Sequence, residues 1–307
     1  MLLSLLRRGE KTTYLLSAIR KGDLCYALSF LGEYRKKVEN DHNDNQENQL
    51  KHITILGCPH LSDIYECFDG SYDKIIYTSE RQNSELLWFF KHSHWGQIVY
   101  IKLNNKILIT DTFFYIDTAM QRVKGLTANN IMKYAVYDLD DQAKMVFPEI
   151  GDQDIQKYIS DLNIIRGKTV ILNPYANSIS GIPAEFYQRL SDLLIESGYV
   201  VVTNVSEHFK TAVLGTKPLA CSMPEAYRLA EYCGFVVGTR SGFMDFIISS
   251  NCKIVAVYSN ESPFKNLFSL HGWGCNDDVL EVGFSGGIES EARRIVAFVE
   301  ELPYNGY

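Results

Sequence analysis

Apolar and polar positions along the chain fall into short runs that switch between a period of two and a period near 3.6. The run TYLLSAI from Thr13 is apolar and β-rich, and RKGD after it has turn chemistry. Leu24, Ala27, Leu28, Leu31 and Tyr34 then recur at helical spacing, so the pattern predicts a strand, a turn and a helix over 24–37. After a polar run at 40–49, which reads as a solvated loop, HITILG (52–57), KIIYT (74–78) and QIVYIKL (97–103) read as strands. LSDIYECF (61–68) and SELLWFF (84–90) read as helices. The stretch from Lys106 to Asp161 is less regular, with a strand expected at KILIT and a helix near 129–137. Beyond it the alternation is cleaner. Strands are expected at 168–175, 199–204, 235–238 and 253–258, and helices at 184–197, 224–232, 242–250 and near 289–302.

Strands alternating with helices make βαβ units and a parallel sheet, and Val/Ile-rich strands without a polar face are buried on both sides. The second half therefore reads as a Rossmann-like domain, and the first as an α/β layer of similar size. At ~100–200 residues per domain, the 307 residues divide into two. The boundary is placed within the polar stretch at 148–166, giving domains 1–150 and 151–307. In open parallel sheets ligands bind beyond the strand C-termini, so the chemistry is expected on the loops at 20–23, 173–181, 204–207 and 238–242.

Apolar residues are 46% of the chain and charged residues 22%, the usage of an ordinary globular protein. The net charge of −7 argues against broad electrostatic binding of nucleic acid. Seven scattered cysteines with no C-x-x-C pair read as reduced thiols. With no run of ~20 apolar residues and a start unlike a secretory leader, the expected location is cytoplasmic. Leu2–Leu6 with Arg7, Arg8 and Lys11 leave open a peripheral contact with the inner face of the cell membrane, against the plainer reading of fraying or packing.

Three segments carry candidate chemistry. Gly22 and Asp23 lie where the first strand gives way to its helix. Asp23 there either caps the helix or serves as a general base, with Arg20 and Lys21 beside it either meeting an anion or solvated. In NPYANSISGIP (173–183), Asn173, Ser178, Ser180 and Gly181 have the small polar character of a phosphate-gripping loop, although helix capping explains the same composition. The string FVVGTRSGFMDF (235–246) combines a buried strand, a tight turn and a helix start. Thr239, Arg240, Ser241 and Gly242 suit a pyrophosphate, the alternative being an Arg240 exposed to solvent or paired with Asp245. Asp138 and Asp140 form a D-x-D spelling, and His92 and His94 stand beside Trp95. Neither has a full set of metal ligands at suggestive spacing, so no metal is assigned. P-loop and serine-hydrolase elbow motifs are absent from the sequence.

On these residues the chain resembles a GT-B glycosyltransferase, closest to the heptosyltransferase group of glycosyltransferase family 9. SAIRKGDLCYALSFLGEYRKK is similar to that family's opening strand, S-x-x-G-D-like turn and helix. VILNPYANSISGIPAEFYQRLSDLLIESGYVVVTN is similar to its donor-domain strand, loop, helix and strand. FVVGTRSGFMDFIISSNCKIVAVY falls at its D-T-G-P-M-H-L-like turn. The resemblance implies two Rossmann-like domains facing a central cleft, the first on the acceptor side and the second binding a nucleotide sugar. It implies Asp23 as catalytic base and Ser241 and Gly242 at the donor diphosphate. Arg240, Asp245, Tyr175 and Ala176 depart from the family pattern, and the Arg is similar to one used on the diphosphate by fucosyltransferase-like GT-B enzymes. The activity implied is transfer from a nucleotide diphosphate sugar to a glycan or lipid-linked acceptor in cell-envelope polysaccharide synthesis, inverting and metal-independent, with no further cofactor. A catalytically degenerate nucleotide-sugar-binding protein is the alternative, and a nucleotide-sugar epimerase or phosphorylase a third.

Overall fold

The computed structural model describes residues 12–16, 20–40, 52–68, 70–92, 106–110, 127–176, 182–206, 211–259 and 266–301. The chain divides into two compact units, Met1–Glu149 and Ile150–Tyr307.

The first unit holds a four-stranded parallel sheet of β1 (Thr12–Leu16), β2 (His52–Gly57), β3 (Lys74–Tyr77) and β4 (Lys106–Ile109), in spatial order β3-β2-β1-β4. Helix α1 (Lys21–Asn40) follows β1 and buries Leu24, Ala27, Leu28, Leu31 and Tyr34, the residues whose spacing predicts it. A 3-10 turn at Pro59–Leu61 leads into the short α2 (Ser62–Glu66), and α3 (Glu80–His92) follows β3. Helix α4 begins at Ala128 under the Thr127 cap and widens over Ile131–Val136 into a π-turn, in which Tyr137 N–H reaches Met132 O. Tyr137 closes this element onto α1. Its hydroxyl donates to Ala27 O at 2.9 Å and its ring lies 5.2 Å from that of Tyr34.

The second unit holds a six-stranded parallel sheet: β5 (Thr169–Asn173), β6 (Val200–Asn204), β7 (Lys217–Leu219), β8 (Gly234–Thr239), β9 (Lys253–Ser259) and β10 (Val279–Phe284), in order β10-β9-β8-β5-β6-β7. Every residue of β5, β8 and β9 is buried, as expected of central strands covered on both faces. One cover is α6 (Ala184–Glu196), whose Phe186, Leu190, Leu193 and Leu194 pack with Ala292, Ile295 and Val299 of α9 (Ile288–Glu301) and with the strand residues Val170, Leu172, Val237 and Val257. The sequence pattern does not assign α5 (Gln156–Leu162), β7 or β10. β7 is three residues long with Pro218 at its centre, a composition tolerated at an edge, and β10 is the opposite edge, only half buried.

Helix α7 (Met223–Cys233) starts with a capping box between Ser222 and Glu225 and stops at Gly234, whose φ of 88° favours glycine. Glu225 also binds α5, accepting from the Tyr158 hydroxyl at 2.9 Å and lying 3.0 Å from Lys157 Nζ. Burial by itself would raise the Glu225 pKa, but the Ser222 N–H, Lys157 and the Ser222 and Tyr158 hydroxyls outweigh it and bring it down to about 2. A carboxylate depressed on folding stabilises above its unfolded value of roughly 4.3, and that contribution is lost as pH falls through the folded value. A Glu225→Gln variant is therefore less stable than wild type at pH 6, and the gap closes between pH ~4 and ~2. Urea unfolding midpoints across this range check it, and a constant gap contradicts it.

Candidate functional site

In the second unit the chain runs from β5 to β6 and β7 on one side, then returns to β8 on the other side of β5. The loops leaving β5 and β8 therefore diverge, and their C-terminal ends form a topological switch point. Gly238 lets the two strands approach closely, because a Cβ at this position would lie 2.0 Å from Asn173 O, and a side chain there would push the strands apart.

Asn173, the last residue of β5, is 4% exposed and organises the edge. Its Nδ2 donates to Ser241 Oγ at 2.9 Å and to Thr239 O at 3.3 Å, while its Oδ1 accepts from Asn204 Nδ2 at 2.8 Å. One amide thus joins the exits of β5, β6 and β8. Ser241 is extended, with φ −154° and ψ 166°, and its hydroxyl does not cap the short α8 (Gly242–Ile247). Ser241 and Gly242 are half-buried.

Thr239 and Arg240, expected from the sequence at a donor diphosphate, are both engaged by groups of the protein itself. The Thr239 hydroxyl donates to Pro174 O at 2.7 Å and shares a short hydrogen bond with the Tyr187 hydroxyl, inside the protein. The Arg240 guanidinium grips the Asp245 carboxylate at 2.6 and 2.5 Å and donates from Nε to Phe268 O at 2.9 Å. Both side chains are buried, and Asp245 also accepts from Trp273 Nε1 at 3.1 Å. Arg240 is thus not exposed to solvent but paired with Asp245. It ties the turn at 239–242 to α8 and to the segment at 266–274. Asn204 is marked in the sequence only by its place on the loop at 204–207, and Tyr187 and Trp273 by nothing, since each meets the turn only through tertiary contact.

In the first unit Asp23 lies in the first turn of α1, just past the C-terminal end of β1, and is 7% exposed. β1 sits between β2 and β4, so this too is a switch point. Arg20 and Lys21 are exposed beside it. Tyr175 is half-buried, and its hydroxyl donates to Thr211 O at 2.7 Å. Ser178, Ser180 and Gly181, residue 207, the His94 and Trp95 positions, the strand expected at 97–103 and the N-terminal Leu2–Lys11 segment lie outside the described residues, as does the His92 side chain.

The D-x-D spelling does not assemble a cation site. Asp138 is held by Lys37, 2.8 Å from its Oδ2, and Asp140 Oδ1 turns back onto the N–H groups of Gln142 and Ala143. Among the described residues no group of three or more His, Cys, Asp or Glu is placed to hold a metal ion, and no helix is long and apolar enough to cross a membrane.

No protein-family model matches the sequence, and no curated protein does. Solved structures do match its fold, end to end. E. coli ADP-heptose lps heptosyltransferase II is 14% identical, with a TM-score of 0.61 over 94% of this chain and 99% of that one. A glycosyl transferase family 9 protein from Veillonella parvula DSM 2008 is 15% identical, with a TM-score of 0.54 over 96% and 91%. E. coli heptosyltransferase WaaC, solved with ADP-2-deoxy-2-fluoro heptose, is 13% identical, with a TM-score of 0.52 over 95% and 99%. The chain therefore has the α/β fold of GT-B glycosyltransferases and resembles the heptosyltransferase group in structure, as its motifs imply.

Proposed function

We propose that the protein is a glycosyltransferase that moves a sugar from a nucleoside diphosphate sugar to a glycan or lipid-linked acceptor of the cell envelope, with inversion and without a metal. The observation that carries this reading is the end-to-end fold match to heptosyltransferases, one of them solved with an ADP-sugar analogue. The polar edge built around Asn173 supports it, because it stands at the switch point where such folds take their ligands.

In this reading the second unit holds the donor. The Ser241 hydroxyl, positioned by Asn173, and the first N–H groups of α8 donate to the diphosphate, whose negative charge grows as its bond to the anomeric carbon breaks. Arg240 contributes by fixing the turn through Asp245. The first unit supplies Asp23 as base. It takes the proton of the acceptor hydroxyl while the hydroxyl oxygen bonds to the anomeric carbon, and the nucleoside diphosphate leaves with the electron pair.

Thermal-shift measurements with ADP, UDP, GDP, dTDP and CMP, each with magnesium and with chelator, test the donor assignment. One nucleoside diphosphate is expected to raise the melting temperature equally in both conditions, the stabilisation reaching about 2.7 kcal/mol at a hundredfold excess over its Kd. No response to any of them overturns the reading. A response only with magnesium overturns its metal independence. Binding without transfer to any acceptor favours the degenerate nucleotide-sugar-binding protein.

A further inference from the structure

The second unit has a cavity of about 440 Å³, within the range of small-molecule sites, and every residue lining it belongs to that unit. Arg166, Tyr232 and Asn251 form part of its wall, and each stands two or three residues before a strand: β5, β8 and β9. The cavity therefore opens at the strand N-termini, the opposite end of the sheet from Asn173 and Ser241. β8 alone, six residues at ~3.3 Å each, separates the two ends by roughly 20 Å.

Arg228, on α7, also lines the cavity and is fixed in place. Its guanidinium donates from Nη1 to Glu231 Oε2 at 2.8 Å, from Nε to Gly151 O at 3.4 Å and from Nη2 to Ile150 O. Three of its five N–H groups are used in this way, which sets the plane of the fork, and among the described residues nothing takes the other two. Both Arg228 and Glu231 are half-buried. The Gly167 N–H bonds Tyr232 O at 3.1 Å and ties the Arg166 side of the wall to the end of α7. Two donors held in a wall before any ligand arrives lower the cost of ordering it on binding. The charges then select the class of ligand. Arg166 and Arg228 balance Asp152 and Glu231, so the cavity is neutral. An anion on the Arg228 fork would lie beside the Glu231 carboxylate, and a cation beside a carboxylate here would face the guanidiniums. A hydroxyl meets neither repulsion, and it can accept from Arg228 while donating to a carboxylate.

We propose that this cavity is a binding site for a neutral sugar unit of a glycan. Two of the sugar's hydroxyls accept from the Arg228 fork and donate in turn to Glu231 and Asp152, with Tyr232 and Asn251 enclosing the ring. The site does not depend on the transferase reading. Joined to it, the cavity is a second hold on a glycan, at the end of the sheet remote from the donor turn.

Saturation-transfer NMR on the full chain tests it, with the methyl glycosides of glucose, galactose and N-acetylglucosamine as probes and methyl glucuronide as the anionic comparison. At least one neutral glycoside is expected to give a signal, and the glucuronide a weaker one. Affinity for that glycoside falls about fivefold or more in Arg228→Lys, which keeps the charge beside Glu231 but gives up the planar fork, and in Asn251→Trp, where a large ring at an exposed position fills the cavity. Deuterium exchange on the unmodified protein locates the site without a variant: added glycoside slows exchange in segments 150–155 and 228–232. No signal from any neutral glycoside, unchanged affinity in either variant, no slowing in these segments, or preference for the glucuronide overturns the site. A protein that is stabilised by a nucleoside diphosphate but silent toward the glycosides loses the cavity site alone. One that binds a glycoside as described but no nucleoside diphosphate keeps the site and loses the transferase reading.

Discussion

In an Asp23→Asn variant, sugar transfer is expected to fall by about 10²–10⁴-fold, the usual contribution of a positioned general base, while affinity for the nucleoside diphosphate stays within about twofold. The competing role for Asp23 is structural, since an acidic residue in the first turn of α1 complements the helix dipole. The two roles separate by magnitude. Asn keeps the shape of Asp and can still accept hydrogen bonds from backbone N–H groups, so a structural Asp23 loses only its charge–dipole term, about 0.3–1 kcal/mol of stability. A rate loss of 10²–10⁴ corresponds to about 2.7–5.4 kcal/mol of barrier. Steady-state transfer rates and melting temperatures on the same preparation decide the matter. A fall in rate of less than tenfold, or a fall explained by lost folded protein, removes Asp23 as the base.

The parts of the fold legible in the sequence are those whose residues carry their own period. α1 was readable because Leu24, Ala27, Leu28, Leu31 and Tyr34 all face one way and all are buried. β5, β8 and β9 were readable because central parallel strands are apolar throughout. Edge strands lose that signature. β7 is too short to establish a period, and β10 is only half buried, with no regular alternation. The same division holds at the donor edge. Asn173, Ser241 and the 239–242 turn could be singled out because strand ends and tight turns have local chemistry. For the Arg240 guanidinium the pair with Asp245, five residues on, was legible as one alternative, but its bond to Phe268 O, 28 residues away, was not, nor was the bond by which Trp273 reaches Asp245. What the sequence offered was a cation in a turn, and burial converted it into a strut.

That conversion predicts the second large effect. An Asp245→Leu variant leaves the Arg240 guanidinium buried without its counter-charge, and removing one partner of such a pair costs about 3–5 kcal/mol. An Arg240→Met variant strands the carboxylate in the same way. The double variant removes both charges and is expected to be more stable than the sum of the single losses predicts. It is not neutral, because Trp273 Nε1–H loses its bond to Asp245, and Phe268 O loses its bond from Arg240 while keeping that from the Tyr258 hydroxyl at 3.2 Å, each lost bond costing about 0.5–1.5 kcal/mol. Urea denaturation of the four proteins gives the coupling energy. The same cycle, read as affinity for the stabilising nucleoside diphosphate, distinguishes a strut from a ligand. If Arg240 acts only through Asp245, both single variants and the double lose affinity equally, because each breaks the same support for the Ser241 turn. If the guanidinium touches the diphosphate, the Arg240→Met variant loses about 1.5–3 kcal/mol more than Asp245→Leu, the worth of a hydrogen bond to a charged group. Equal losses would leave the donor charge to the Ser241 hydroxyl and the backbone at the start of α8, with Arg240 holding that backbone in place.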